Sequence, residues 1–178
     1  MLSLREQLEQ CLTGRVCLMG LGNVDYGDDG FGVRLAEDLS ASGLPEGWRV
    51  VVAGTTPERV IGRAAGSGCE HLVFLDAVEF GGEPGSAVFL DSGEMAARFP
   101  QISTHKISLD LLAKWAEANG TTRAWLLGVQ PESLGAGRQL TATVQETLEA
   151  LCELLRDLGS PQRGEKPSAL RPMAEVSA

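Results

Sequence analysis

Short apolar runs alternate along this chain with segments of helical periodicity, and such alternation admits few folds. RVCLMGL (15–21), WRVVVAG (48–54), HLVFLDAV (71–78), SAVFLD (86–91) and TRAWLLGV (122–129) read as strands. Between them, 28–39 places Val33, Leu35, Ala36 and Leu39 on one helical face, and 57–66 is a helix opened by Pro57. A third helix over 107–120 aligns Ile107, Leu111, Leu112 and Trp115; a closing helix over 141–158 aligns Val144, Leu148, Leu151, Cys152 and Leu155. The expectation is an α/β, single-domain three-layer sandwich: a mostly parallel, twisted five-stranded sheet with helices on both faces. The EFGGEPGS turn (79–86) is short for a crossover, so the strand after it is expected antiparallel at an edge.

The chain has 178 residues, enough for one well-buried core and too few for two comfortable ones. Residues 1–159 are read as that domain. From Ser160 the chain loses periodicity and gains Pro, Ser and charge, so 160–178 is read as a disordered tail. Twenty-four acidic against 15 basic side chains give a net charge of −9, which repels phosphate backbones and anionic lipid. Nucleic acid and membrane are therefore poor partners. MLSLREQLEQCLTG lacks the regions of a signal peptide, and no apolar run is long enough to span a bilayer, so a cytoplasmic protein is expected. Cys11, Cys17, Cys69 and Cys152 show no CxxC spacing and read as small buried hydrophobes.

Open α/β sheets bind ligands beyond the carboxyl ends of their strands. The residues found there are GLGNVDYGDDGFG (20–32), Gly54 and Thr55, Asp76, and STHKIS (103–108). Paired acids at a helix start are ordinarily caps; Asp28 fits that role, which leaves Asp29 spare. Asp76 could simply end its strand, but buried beside Leu75 and Ala77 it would need a partner. His71 opens a strand at the opposite end of the sheet and reads as structural. His105 precedes a helix, in a loop docked on the body. Together Asp29, Asp76 and His105 form a mixed oxygen and nitrogen set suited to a divalent ion such as nickel or zinc, with positions left open.

Other signatures fail. The dinucleotide fingerprint needs a third glycine at position 25, where Asp25 would repel a pyrophosphate. There is no P-loop, no H-E-x-x-H helix and no G-x-S-x-G elbow.

GLGNVDYGDDGFGVRLAEDL (20–39), HLVFLDAV (71–78), THKISL (104–109) and GVQPESLG (128–135) resemble, in order, segments of the [NiFe]-hydrogenase maturation endopeptidases. The resemblance implies that Asp29, Asp76 and His105 occupy metal-contacting, catalytic positions, and that Gly54, Thr55 and Asn23 serve substrate recognition. It implies a hydrogenase large-subunit precursor as partner, losing a C-terminal extension once it carries nickel, with nickel supplied by the substrate rather than held as a permanent cofactor. A monomer is expected. Two departures stand out: Val52 and Ala53 lie where an acidic residue often precedes the Gly-Thr loop, and Ala142 stands where proline is frequent. The competing readings are a non-catalytic nickel-sensing or chaperone module using the same three residues, and a nucleotide-binding domain.

Overall fold

The computed structural model describes residues 2–98 and 107–158. The elements are α1 (Leu4–Cys11), β1 (Val16–Leu21), α2 (Phe31–Ser42), β2 (Trp48–Gly54), α3 (Ile61–Gly66), β3 (His71–Ala77), β4 (Ala87–Asp91), α4 (Ser92–Arg98), α5 (Leu109–Glu117), β5 (Arg123–Val129) and α6 (Ala142–Asp157). One sheet runs β2-β1-β3-β5-β4, parallel throughout except for β4, which pairs antiparallel with β5 at the edge as its short turn requires. β1 and β3 are buried at every position, so they carry continuous apolar runs rather than alternation. Leu18, Leu75 and Leu127 face one core with Phe31, Leu35, Leu148 and Leu155; Met19, Phe74 and Leu126 face the other with Ile61, Met95 and Leu112. These two cores make the three layers.

Three local readings need correction. Helix α1 was not anticipated, although its capping box is legible in the sequence: Ser3 Oγ accepts from Glu6 N–H while the Glu6 carboxylate accepts from Ser3 N–H. Helix α4 was also missed, because it follows β4 without a break. In α5 the buried stripe is Leu109, Leu112, Ala113 and Ala116, whereas Leu111 and Trp115, expected inside, are 39% and 44% exposed. Several registers satisfied the helical period there, and the large residues outweighed the small ones that α5 buries against α3 and α4. The tail expected beyond Ser160 lies outside the described residues.

Two glycines seat α2 on the sheet. A Cβ on Gly32 would lie 1.9 Å from Leu75 O and 2.6 Å from Leu21 O; one on Gly20 would lie 2.5 Å from Gly32 O. Only bare backbone allows that approach, and it brings the start of α2 onto the carboxyl ends of β1 and β3. The chain leaves β1 for β2 on one side and returns as β3 on the other, so the strand order reverses between β1 and β3.

At the amino end of the sheet, Trp125 Nε1–H donates to His71 Nδ1 at 3.1 Å, and the Trp125 ring stacks on Phe89. Burial lowers the His71 pKa from its ordinary 6.5, against an opposing pull from Glu70. The folded state thus binds fewer protons than the unfolded chain, and stability is lost as pH falls below about 6.5. Thermal melts of His71→Gln between pH 7 and about 5.5 should show a flatter decline in Tm than wild type.

Candidate active site

The GLGN loop leaves β1 through Gly22, whose φ of +116° a side chain would not tolerate; a Cβ there would sit 1.8 Å from Asp29 O. A 3₁₀ turn over Gly27–Gly30 follows and packs against β3. Its backbone amides are already committed. Asn23 N–H donates to Asp29 Oδ2 at 2.9 Å, Tyr26 N–H to Asn23 O at 3.2 Å, Gly27 N–H to Gly137 O at 2.6 Å, Asp28 N–H to Ser133 O at 3.0 Å and Asp29 N–H to Tyr26 O at 3.1 Å. A phosphate-binding loop needs such amides free, and here they are spent within the protein.

Asp28 is not the helix cap that its position suggested. Helix α2 has Gly30 as its N-cap and no side-chain cap bond. The fully buried Asp28 carboxylate reaches across the carboxyl edge instead. It accepts from Glu132 N–H and Ser133 N–H, both at 2.9 Å, from Thr141 N–H at 2.7 Å and from the Thr141 hydroxyl at 3.0–3.1 Å. It clamps the β5–α6 loop onto the turn, aided by Asp25 O, which accepts from Gly137 N–H at 2.9 Å, and by an Arg138–Asp25 ion pair at 3.2 Å. Gln130, in a motif to which no role had been given, does similar work: its Oε1 accepts from the amides of Phe80, Gly81 and Gly82 at 2.9, 3.0 and 3.2 Å and fixes the loop after β3. Neither role has a local signal, because each partner set is 48 or more residues away in sequence.

Asp29 is 6% exposed. Oδ2 is held by the Asn23 amide, while Oδ1 is buried with no hydrogen-bond donor among the described residues. A buried carboxylate oxygen without a donor is costly, and a cation or a water could satisfy it. Asp76, 2% exposed, stands in β3 opposite Gly128, at the strand end against which the Asp29 turn packs. The turn after β1 and the end of β3 thus bring two buried carboxylates to the point where strand order reverses. The third expected residue, His105, lies outside the described residues, as does the segment 99–106. Glu117 Oε1 accepts from Ala124 N–H and ties the end of α5 to the amino end of β5, so Ser108, the cap of α5, opens towards the carboxyl edge. Among the described residues no three His, Cys, Asp or Glu side chains group closely enough to hold a metal.

The residues expected to recognise substrate lie at the same edge. Gly54, with φ +60°, accepts from Gly22 N–H at 3.1 Å, which brings the exposed Thr55 beside the GLGN loop. The Asn23 side chain accepts from Asp25 N–H at 3.0 Å and so shapes this loop from within.

These features define an α/β protein that gathers two buried carboxylates at a sheet reversal point and whose turn amides are spent within the protein rather than left as a phosphate cradle. Residues 33–157 match the family of hydrogenase maturation proteases. The Hydrogenase 3 maturation protease of Escherichia coli K12 is 30% identical over 139 residues, covering 78% of this chain and 86% of that protein. The crystal structure of the [NiFe] hydrogenase maturation protease HycI from Thermococcus kodakarensis superposes with a TM-score of 0.76 at 30% identity, over 85% of this chain and 97% of that one. The hydrogenase maturating endopeptidase HybD from E. coli gives a TM-score of 0.67 at 30% identity, over 78% and 88% of the two chains. The chain belongs to the hydrogenase maturation protease family.

Removing the Asp28 carboxylate would leave buried backbone N–H groups without acceptors. Asp28→Ala should lower the unfolding free energy by about 2–4 kcal/mol in urea titration. Asp28→Asn should restore only part of that, because an amide NH₂ would have to face N–H donors.

Proposed function

We propose that this protein is the endopeptidase that removes a C-terminal extension from the nickel-loaded large subunit of a [NiFe]-hydrogenase precursor. Within that reading Asp29, Asp76 and His105 contact the nickel that the precursor carries, and the ion enters and leaves with the substrate. The observation that carries the reading is Asp29 Oδ1, a buried carboxylate oxygen with no donor among the described residues, on a turn packed against the strand that bears Asp76. Mixed carboxylate and imidazole donors suit nickel in preference to calcium or magnesium. Three such side chains leave coordination positions for ligands that the precursor provides.

A metal ion at the scissile bond supplies Lewis acidity. The chain's own contribution is to orient and to move a proton. Asn23 N–H fixes Asp29 through Oδ2 and leaves Oδ1 to face the incoming ion or to take the proton of the attacking water. Asp76, paired with Gly128 in the central strand β3, supplies the second carboxylate. Hydrolysis then transfers the water proton to the carboxylate and onward to the departing amine. Gly54, Thr55 and Asn23 shape the wall that meets the extension. The net charge of −9 fits a partner that is neither nucleic acid nor membrane, and no helix among the described residues is long and apolar enough to cross a bilayer. We place the reaction in the cytoplasm, carried out by a monomer.

Purified protein incubated with nickel-loaded and nickel-free precursor, followed by mass spectrometry, should shorten the loaded form alone. Asp29→Asn should slow that cleavage by at least about 100-fold and His105→Ala should abolish it. Normal cleavage by Asp29→Asn would remove this residue from the proton transfer.

A further inference from the structure

The two edges of the sheet are unequally protected. β4 is short, ends in Asp91 and packs against α1 and α4. β2 has seven residues, WRVVVAG, with neither proline nor lysine, and Val52 on it is 48% exposed. Natural edges are usually blocked by such residues, by bulges or by coverings. On β2 the register slips only near its carboxyl end, where Ala53 falls between the partners of Gly20 and Leu21, so the apolar edge before that point can take another strand. The direction of its backbone groups follows from the ladder. Val16 N–H donates to Gly47 O at 3.3 Å, and alternation along the regular part of this parallel strand then turns the backbone groups of Arg49 and Val51 to β1 and those of Val50 and Val52 outward.

A groove of about 330 Å³ runs beside this edge, lined by Arg49, Val50, Val51, Val60, Arg63 and Ala64. Val50 and Val51 lie on opposite faces of β2, so the groove follows the strand's rim and not one face of it. Two guanidiniums flank it. Arg49 donates to Ala64 O, and neither arginine has a carboxylate partner among the described residues. On a chain with net charge −9, two such cations beside one groove mark a place for negative charge. The carboxyl end of β2 is Gly54, bonded to Gly22 at the mouth of the candidate site.

We propose that the free edge of β2 takes an extended, carboxylate-bearing segment of the precursor as a sixth strand, through main-chain bonds to Val50 and Val52, with acidic side chains at Arg49 and Arg63. This rests on the protease reading and adds a substrate subsite to it: a strand laid along β2 is led to the Gly54–Thr55 loop and so to Asp29.

Fluorescence anisotropy on the full chain tests this with a labelled peptide of alternating glutamate and valine, its lysine counterpart, and the glutamate peptide N-methylated at alternate residues. The glutamate peptide should bind, and the other two should bind at least about tenfold more weakly. Arg63→Glu, a surface change, and Val50→Pro, which removes one outward N–H, should each weaken binding of the glutamate peptide about tenfold. Equal binding of glutamate and lysine peptides, or no effect of Arg63→Glu, would overturn the proposal. So would a dimer in sedimentation that Val50→Pro dissolves, because two copies would then occupy each other's edges. With nickel-loaded precursor, Arg63→Glu should raise KM about tenfold and leave kcat near wild type. An unchanged KM would sink the groove and leave the protease reading standing. Peptide binding by a wild-type protein that cleaves no precursor would support the groove and remove the protease reading instead.

Discussion

The arrangement of this molecule depends on how closely α2 lies against the sheet. With a Cβ at Gly32 only 1.9 Å from Leu75 O, the helix can sit there only as bare backbone. The 3₁₀ turn at its start is thereby pressed onto β3, and Asp29 comes to the end of the strand that carries Asp76. A helix lifted by even one methyl would separate the two carboxylates, whatever their own side chains did. Steric absence at Gly20 and Gly32 is thus as much a part of the site as the charged groups are.

Asp28 and Asp29 are neighbours with identical side chains and opposite fates. The first is saturated, its two oxygens taking four donors from the β5–α6 loop. The second has one oxygen held by Asn23 N–H and one without a donor among the described residues. Saturation makes Asp28 a structural tie that is costly to break, and incompleteness leaves Asp29 able to accept a new ligand without losing an old one. Adjacent residues of a 3₁₀ turn project about 120° apart, so the two carboxylates meet different surroundings.

Much of the fold was legible because parallel strands buried on both faces, as β1 and β3 are, announce themselves as unbroken apolar runs, and the short turn before β4 marked it as the antiparallel edge. The α6 stripe was read correctly for a related reason: its buried residues are large and evenly spaced. The α5 stripe was misread where alanines, not Leu111 and Trp115, carry the contact. At the site, Asp29 was singled out by elimination, once one acid had been assigned to capping. The elimination reached a residue whose position is notable, although the cap is Gly30 and not Asp28. The true task of Asp28 could not be read, since its partners lie 104 to 113 residues downstream and nothing in local sequence points to them.

That separation has a consequence for how the protein is made. A ribosome delivers the chain from its amino end, and the first βα unit, with β1, the GLGN loop and α2, emerges long before Thr141. Asp28 has none of its four donors until Glu132 and Ser133 follow β5, and it gains the last two only with Thr141. The turn that carries Asp29 can settle only after β5 has joined the sheet and the loop behind it has closed. The earliest motif in the chain is therefore completed by one of the latest, and a chain that ended at residue 131 would carry every strand of the sheet but none of the donors of Asp28.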